Sequence, residues 1–126
     1  MTTAISRIRW GRIVIGGVLT EVALIAVAIP IRIVAGDAVL LYVVAPACLA
    51  AAFVFGLWTA RRVDANFILH GALVGVVASL LYIALTWNQT LPMLYHLSHG
   101  LKVIGGAAGG AFAARQIRAA ALSATK

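Results

Sequence analysis

The chain has few of the residues from which soluble active sites are built. Its 126 residues include three acidic residues and one cysteine. A single cysteine, Cys48, excludes an intrachain disulfide and a multi-cysteine metal site. Paired carboxylates, a Ser-His-Asp arrangement on loops and a dinucleotide-binding glycine motif are all missing from the sequence. We therefore expect a protein that is not an enzyme and that carries no cofactor.

Charge is also scarce, and this scarcity excludes an ordinary soluble domain. Charged residues make up 10% of the chain and hydrophobic residues 63%, with a mean hydropathy of +1.06. The net charge of +7 could indicate nucleic-acid binding. The basic residues, however, mark the ends of long apolar runs instead of lining one helix face, which is the pattern of a membrane protein. We expect the lipid bilayer as partner and no nucleic acid.

The apolar runs predict an all-α integral membrane bundle of four transmembrane helices in one domain spanning residues 1–126. The predicted helices cover residues 12–31, 38–60, 67–86 and 92–114, each of the order of 20 residues, enough to cross the hydrocarbon core. A cleaved signal peptide is the rival interpretation of the first run. Its length and the central Glu21 favour a retained helix.

The distribution of Lys and Arg predicts the orientation, because basic residues are retained on the cytoplasmic side. Three basic clusters flank the predicted helices on one side: Arg7, Arg9 and Arg12; Arg61 and Arg62; Arg115, Arg118 and Lys126. The opposite side carries only Arg32, which is offset by Asp37. Both termini are therefore predicted to be cytoplasmic, in the inner membrane if the source is bacterial.

The two halves of the sequence share a register when they are shifted by 54 residues. Gly17 then falls on Gly71 and Gly56 on Gly110, and Cys48 falls on Lys102. This register favours two parallel-repeat hairpins related by an axis along the membrane normal. The equally weighted alternative is that any two helical hairpins would share such a layout.

Small residues at a spacing of four predict where the helices contact one another, because transmembrane helices associate through close backbone approach. The glycines predicted to pack helices are Gly17, Gly56, Gly71, Gly75, Gly105, Gly106, Gly109 and Gly110. A phosphate-binding loop is the alternative for the last four. It requires a preceding strand and a terminal Lys-Ser/Thr, and both are missing.

Glu21 and Lys102 are the ionisable residues at the centres of the predicted helices. Each lies roughly 15 Å from its end of the hydrocarbon core at 1.5 Å per residue. An isolated charge at that depth is costly, so we predict that the two side chains pair. Three interpretations remain open: a structural pair, a part in proton or solute coupling, or no contact.

Two histidines lie along the predicted fourth helix, one turn apart. His96, His99 and Lys102 step by three residues toward the centre, so they could form a polar proton or solute path, with Tyr95 adding a hydroxyl. His70 is expected to cap or pack at the opposite boundary. Haem ligation is disfavoured because His70 differs in depth from the other two, and zinc is disfavoured because no carboxylate or thiolate is near.

Three segments carry a resemblance to known proteins. They run from Phe55 to Arg62, from His70 to Gly75 and from Gly105 to Gly110. Their order resembles that of small four-helix bacterial integral membrane proteins of uncharacterised function. The resemblance implies a four-helix membrane fold and no particular activity.

The segment from Gly16 to Val22 is similar to the helix 1 motif of small multidrug resistance transporters, in which a glutamate is essential. The spacing from the glycines to Glu21 is one residue shorter here, and that family's helix 3 tryptophan segment has no counterpart. Lys102 and the strong charge bias also depart from the family's pattern.

Together these features predict a structural or accessory membrane protein, either a homo-oligomer or bound to another membrane protein. The alternative is a small proton-coupled transporter or channel that uses Glu21, His99 and Lys102. A membrane-embedded enzyme or quinone-binding protein would depend only on His99 and Tyr95.

Overall fold

A computed structural model describes residues 8–125 of the chain as an all-helical fold. The helices are α1 (Trp10–Ala60), α2 (Phe67–Leu85) and α3 (Met93–Ala124). No β-strand occurs between residues 8 and 125. Arg7 and Lys126, which belong to the predicted basic clusters, lie outside the described residues.

The prediction of four helices is wrong, because the structure has three. The predicted helices 12–31 and 38–60 both lie in α1, a single helix of 51 residues. The polar pair between them indicated a connecting loop. Instead, Arg32 Nε donates to Asp37 Oδ1 at 2.9 Å across Gly36, and helical geometry is interrupted at that single residue, without a loop. At the other end of the chain, α3 continues ten residues past the predicted end at position 114.

One residue of α1 departs from helical geometry and reverses the direction of the chain. Gly36 has φ 83° and ψ 174°, a conformation that is essentially restricted to glycine. A Cβ placed on Gly16 would lie 2.6 Å from Thr59 Oγ1. A straight helix would hold these two residues about 65 Å apart. The first limb of α1 (residues 10–35) and its second limb (residues 37–60) therefore pack against each other.

Glycines allow the backbones of neighbouring helices to come into direct contact. The backbones of Gly71 in α2 and Gly106 in α3 face each other without room for a Cβ on either residue, and a Cβ on Gly56 would lie 2.7 Å from the Gly106 carbonyl oxygen. The same lack of space is found at all eight glycines predicted to pack helices: Gly17, Gly56, Gly71, Gly75, Gly105, Gly106, Gly109 and Gly110. Close approach of this kind maximises dispersion contacts between helices.

Large apolar side chains are exposed over much of the surface, and several polar side chains are buried. Val34, Tyr42 and Met93 are about four-fifths exposed, whereas Lys102 and His70 are among the largest fully buried side chains. Of the three described helices, α1 and α2 are long and apolar enough to cross a membrane.

We predict that Gly36→Ala lowers the free energy of unfolding by about 1–3 kcal/mol, because alanine is strained at this φ and ψ. No neighbouring atom lies within 4 Å of a Cβ at Gly36, so the effect reports backbone conformation alone. The control is Gly100→Ala, at an exposed helical position with equally open space. Unfolding in detergent should show the control unchanged or stabilised. Equal stability of the two variants would contradict the strained turn.

Gly106→Ala is expected to lower the free energy of unfolding by about 1–3 kcal/mol, the usual cost of overpacking. The new Cβ would meet the Gly71 carbonyl oxygen, which belongs to the backbone and cannot rotate away. Gly100→Ala again serves as control, since it lies on the same helix and contacts nothing. If Gly106→Ala proved as stable as that control, the backbone contact between α2 and α3 would be disproved.

Candidate functional site

The structure brings Glu21 and Lys102 together in the interior. Lys102 Nζ, from α3, donates a hydrogen bond to Oε1 of Glu21, from the first limb of α1. The two side chains are only 2% and 6% exposed, so their charges are held away from solvent. Lys102 Nζ also lies 4.9 Å from the centre of the Tyr82 ring, close enough for a cation–π interaction. Two helices and an aromatic ring thus surround the ammonium group.

Small residues next to the charged ones explain why the pair can form. Gly17 lies one helical turn from Glu21 and packs directly on Val77 and Ala78 of α2. Gly75 lies against the backbone carbonyl of Lys102. Because both glycines let the helices approach closely, two side chains from opposite ends of the sequence meet at the same depth.

A cavity of about 240 Å³ begins at this pair and extends away from the glycine contacts. It lies between the two limbs of α1 and α3, and α2 contributes only Tyr82 to its wall. Most of the wall is aliphatic, with Leu24, Ala28, Leu40 and Val44 among its residues. Arg32, an exposed residue near Gly36, marks its outer rim.

An aromatic cluster forms one side of the cavity. Tyr82 and Tyr95 have nearly parallel rings, with centroids 6.3 Å apart and an interplanar angle of 6°. The His99 ring lies 5.3 Å from that of Tyr82 and also lines the cavity. Its Nδ1 is enclosed and has no hydrogen-bond partner among residues 8–125. This ring nitrogen is thus a buried polar atom without a partner in the described part of the chain.

His96 is close to this cluster but is not part of the cavity wall. Its ring lies 6.4 Å from the His99 ring, and the residue is exposed. Of the four residues predicted for an intramembrane path, the structure therefore places Glu21, Lys102 and His99 on the cavity and His96 beside it.

Sequence reasoning missed several cavity residues, among them Tyr82, Ser98, Cys48 and Arg32. Cys48 could have been found from the sequence, because the shift of 54 residues aligns it with Lys102 and so predicts that both residues lie at the same depth in the bundle. No feature of the sequence identified Tyr82, since an aromatic residue in an apolar helix is usually part of ordinary packing.

His70 lies at the opposite end of the bundle and serves a local role. It is fully buried. Its Nδ1 lies 2.9 Å from the Asn66 carbonyl oxygen, and its Nε2 accepts a hydrogen bond from the backbone N–H of Arg9 at 3.2 Å. These two contacts fix the neutral tautomer with the proton on Nδ1. His70 thus attaches the start of α1 to the start of α2.

Basic side chains gather at that same end, which we call the basic end. Arg9 pairs with Asp64 at 3.3 Å, and Arg61 donates two hydrogen bonds to Gln116 at 2.9 and 2.6 Å. Both ends of α1 and the later part of α3 therefore lie at one end of the bundle, and Gly36 lies at the other.

Metal ligands do not gather in the described part of the chain. Within residues 8–125, no three His, Cys, Asp or Glu side chains come close enough together to hold a metal ion. What the site offers instead is a buried ion pair, an aromatic cluster and a largely aliphatic space.

Breaking the pair should destabilise the protein strongly, because the partner left behind is a buried unpaired charge. We expect Glu21→Gln and Lys102→Met each to lower the free energy of unfolding by about 3–5 kcal/mol. In the double variant, the free energy of unfolding should fall by much less than the sum of the two single losses, because no unpaired charge is left. Unfolding in detergent measures all three variants. Strictly additive losses would show that the two side chains do not interact.

No protein-family model, curated protein or solved structure matches this chain. The resemblances to small bacterial membrane proteins and to small multidrug resistance transporters therefore stay predictions. The geometry of the cavity and its ion pair is the basis for a function.

Proposed function

We propose that this chain is an integral membrane protein that admits a small solute into the cavity between α1 and α3, as a carrier or channel. The observation that carries the proposal is the position of the ion pair. Glu21 and Lys102 belong to the cavity wall although only 6% and 2% of their side chains are exposed. Ionisable residues inside membrane helices usually mark a substrate or ion pathway.

The exposed surface supports a location in a bilayer. Long side chains such as Ile33, Val34 and Leu85 are exposed on α1 and α2, the two helices that are apolar enough to cross a membrane. Such a surface would be unfavourable in water but suits lipid. The largest buried side chain among the described residues is that of Lys102. A charged group at bilayer depth is costly unless the protein encloses it, so this burial fits a membrane location.

The distribution of charge supports an orientation with both termini in the cytoplasm. Arg9, Arg61 and Arg62 lie at the basic end, where Arg115 and Arg118 continue α3. Among residues 8–125, the only basic residue at the Gly36 end that carries a fixed charge is Arg32, which is paired with Asp37. Because basic segments are retained on the cytoplasmic side, the cavity faces the opposite side of the membrane.

In a carrier, the pair would couple solute entry to charge movement. Glu21 and Lys102 neutralise each other while the cavity is empty, which limits the cost of holding charges at that depth. A solute or proton that reaches the pair changes this balance, so occupancy can be linked to movement of the helices. His99 and Tyr82 lie next to the pair and could relay a proton.

A structural or accessory role is the second candidate, and one observation favours it. The pair connects the first limb of α1 to α3 at the point where the glycine contacts end, so it can fix the register of the bundle. In that case the apolar surface would serve a second copy of the chain or another membrane protein.

Cys48 tests the proposal, because it lines the cavity and is the only cysteine in the sequence. In proteoliposomes we expect a small water-soluble thiol reagent to modify Cys48, since a solute cavity must open to water. Two matched variants in a Cys48→Ala background provide controls. Ala50→Cys, exposed on the second limb, should face lipid and resist the reagent, whereas Thr125→Cys at the end of α3 should react fastest.

The reaction rates are measured by mass spectrometry. If Cys48 reacts only after the protein is unfolded, the cavity is closed to solutes and the structural candidate is correct. If Ala50→Cys reacts as fast as Thr125→Cys, the helices do not lie in lipid, and the membrane location itself is disproved.

A further inference from the structure

We infer that the cavity takes a small organic anion, a monocarboxylate with an apolar body, together with one proton. This inference rests on the proposed function, because it names the solute that the cavity would admit. Three observations carry it: the charges on the cavity wall, the hydrogen bond that joins Lys102 to Glu21, and the size and aliphatic lining of the space.

The charges on the wall favour an anion over a cation. Glu21 is the single carboxylate among the residues that line the cavity in the described chain, and Lys102 already neutralises it. Arg32 lies at the rim, where its ion pair with Asp37 offsets its charge. A cation would meet the Lys102 ammonium group and would find no free carboxylate on the wall. An anion would meet an ammonium group that still has N–H donors to offer beyond the one bound to Glu21.

The ion pair can exchange partners without creating an uncompensated buried charge. In the empty cavity, Lys102 Nζ donates to Glu21 Oε1. When the anion arrives with a proton, the proton binds the Glu21 carboxylate, and the Lys102 hydrogen bond passes to the incoming carboxylate. The site is formally neutral before and after the exchange, and no covalent bond other than the O–H bond on Glu21 is made. A buried site tolerates neutral exchange far better than net charge.

The other groups that face the pair are compatible with this exchange. The second limb of α1 contributes the Cys48 thiol, α2 contributes Tyr82, and α3 contributes Tyr95, Ser98 and His99. None of these side chains is a carboxylate, so none competes with the anion for Lys102. His99 is the one further group that could accept the proton, and the experiment must separate it from Glu21.

The volume and the lining of the cavity determine which apolar body the anion can have. Engineered cavities of about 150 Å³ lined by aliphatic and aromatic side chains bind benzene. The present cavity, at about 240 Å³, has room for such a ring with a carboxylate attached. The stacked rings of Tyr82 and Tyr95 offer an aromatic wall, and Leu24 and Val44 offer aliphatic ones. Benzoate is therefore a suitable probe.

The test measures binding of three probes of one size to the full-length protein in lipid nanodiscs: benzoate, neutral benzamide and cationic benzylammonium. Binding is read by calorimetry and by protection of Cys48 from a thiol reagent. We expect benzoate to bind most tightly. From about pH 6 to about pH 8, where benzoate is ionised, its Kd should rise about tenfold per pH unit, because each anion takes up one proton.

Variants then assign the roles. Glu21→Gln imitates the protonated carboxyl, so benzoate binding should persist and lose its pH dependence. His99→Gln should keep the wild-type pH dependence. The double variant Glu21→Gln with Lys102→Met leaves no unpaired charge and should lose benzoate binding while keeping that of benzamide. Asp64→Asn, at the basic end, is the control and should match wild type.

The outcomes separate this inference from the proposed function. One outcome is that Cys48 reacts with the thiol reagent and is protected by benzylammonium but not by benzoate. That result would overturn the anion assignment and would leave the solute cavity in place. A wild-type Kd for benzoate that does not change with pH would overturn the coupling through Glu21. So would a pH dependence of this Kd that disappears only in His99→Gln. Cys48 that never reacts in the folded protein would overturn the proposed function and the inference together.

Tight benzoate binding would also leave the source of the natural anion to be identified. Long-chain fatty acids reach the site from lipid, and short aromatic or branched acids reach it from water. Competition of each with benzoate distinguishes them: the inferred volume predicts that the short acids compete and that chains of sixteen carbons do not.

Discussion

Backbone contact between α2 and α3 is the constraint on which the rest of this structure depends. Gly71 and Gly106 bring two main chains together without an intervening side chain, and Gly75 does the same against the backbone of Lys102. In the proposed bilayer, no hydrophobic force would drive the helices together, so such contact would be what makes their association favourable. It also fixes how far along the bundle the helices can stay close.

The contacts end at the ion pair, and the cavity begins there. On the basic-end side of Lys102, glycines hold the helices together. On the Gly36 side, larger side chains such as Tyr82, Tyr95 and Leu40 keep the helices apart. The pair thus lies at the boundary between a tightly packed half and an open half. This position lets one pair of residues stabilise the fold and, in the proposed function, respond to a solute.

Several parts of this arrangement were predictable from the sequence, and others were not. The apolar runs and the glycine spacing indicated helices and contact faces, because both depend on local composition and on the helical repeat. The matched depths of Glu21 and Lys102 indicated a pair, because each depth follows from counting residues. The number of helices was predicted wrongly. Arg32 and Asp37 indicated a loop, but a helix can carry an exposed ion pair and reverse at a single glycine.

The sequence by itself determined the class of residues on each surface, the positions of the close contacts and the depth of the two buried charges, because these follow from periodicity and from the cost of burying charge. Only the tertiary structure decided that α1 turns back at Gly36, that Tyr82 and Cys48 join Glu21 and Lys102 around one space, and that His96 stays outside it. Those facts depend on which helix faces which, and that is set by contacts between residues far apart in the chain.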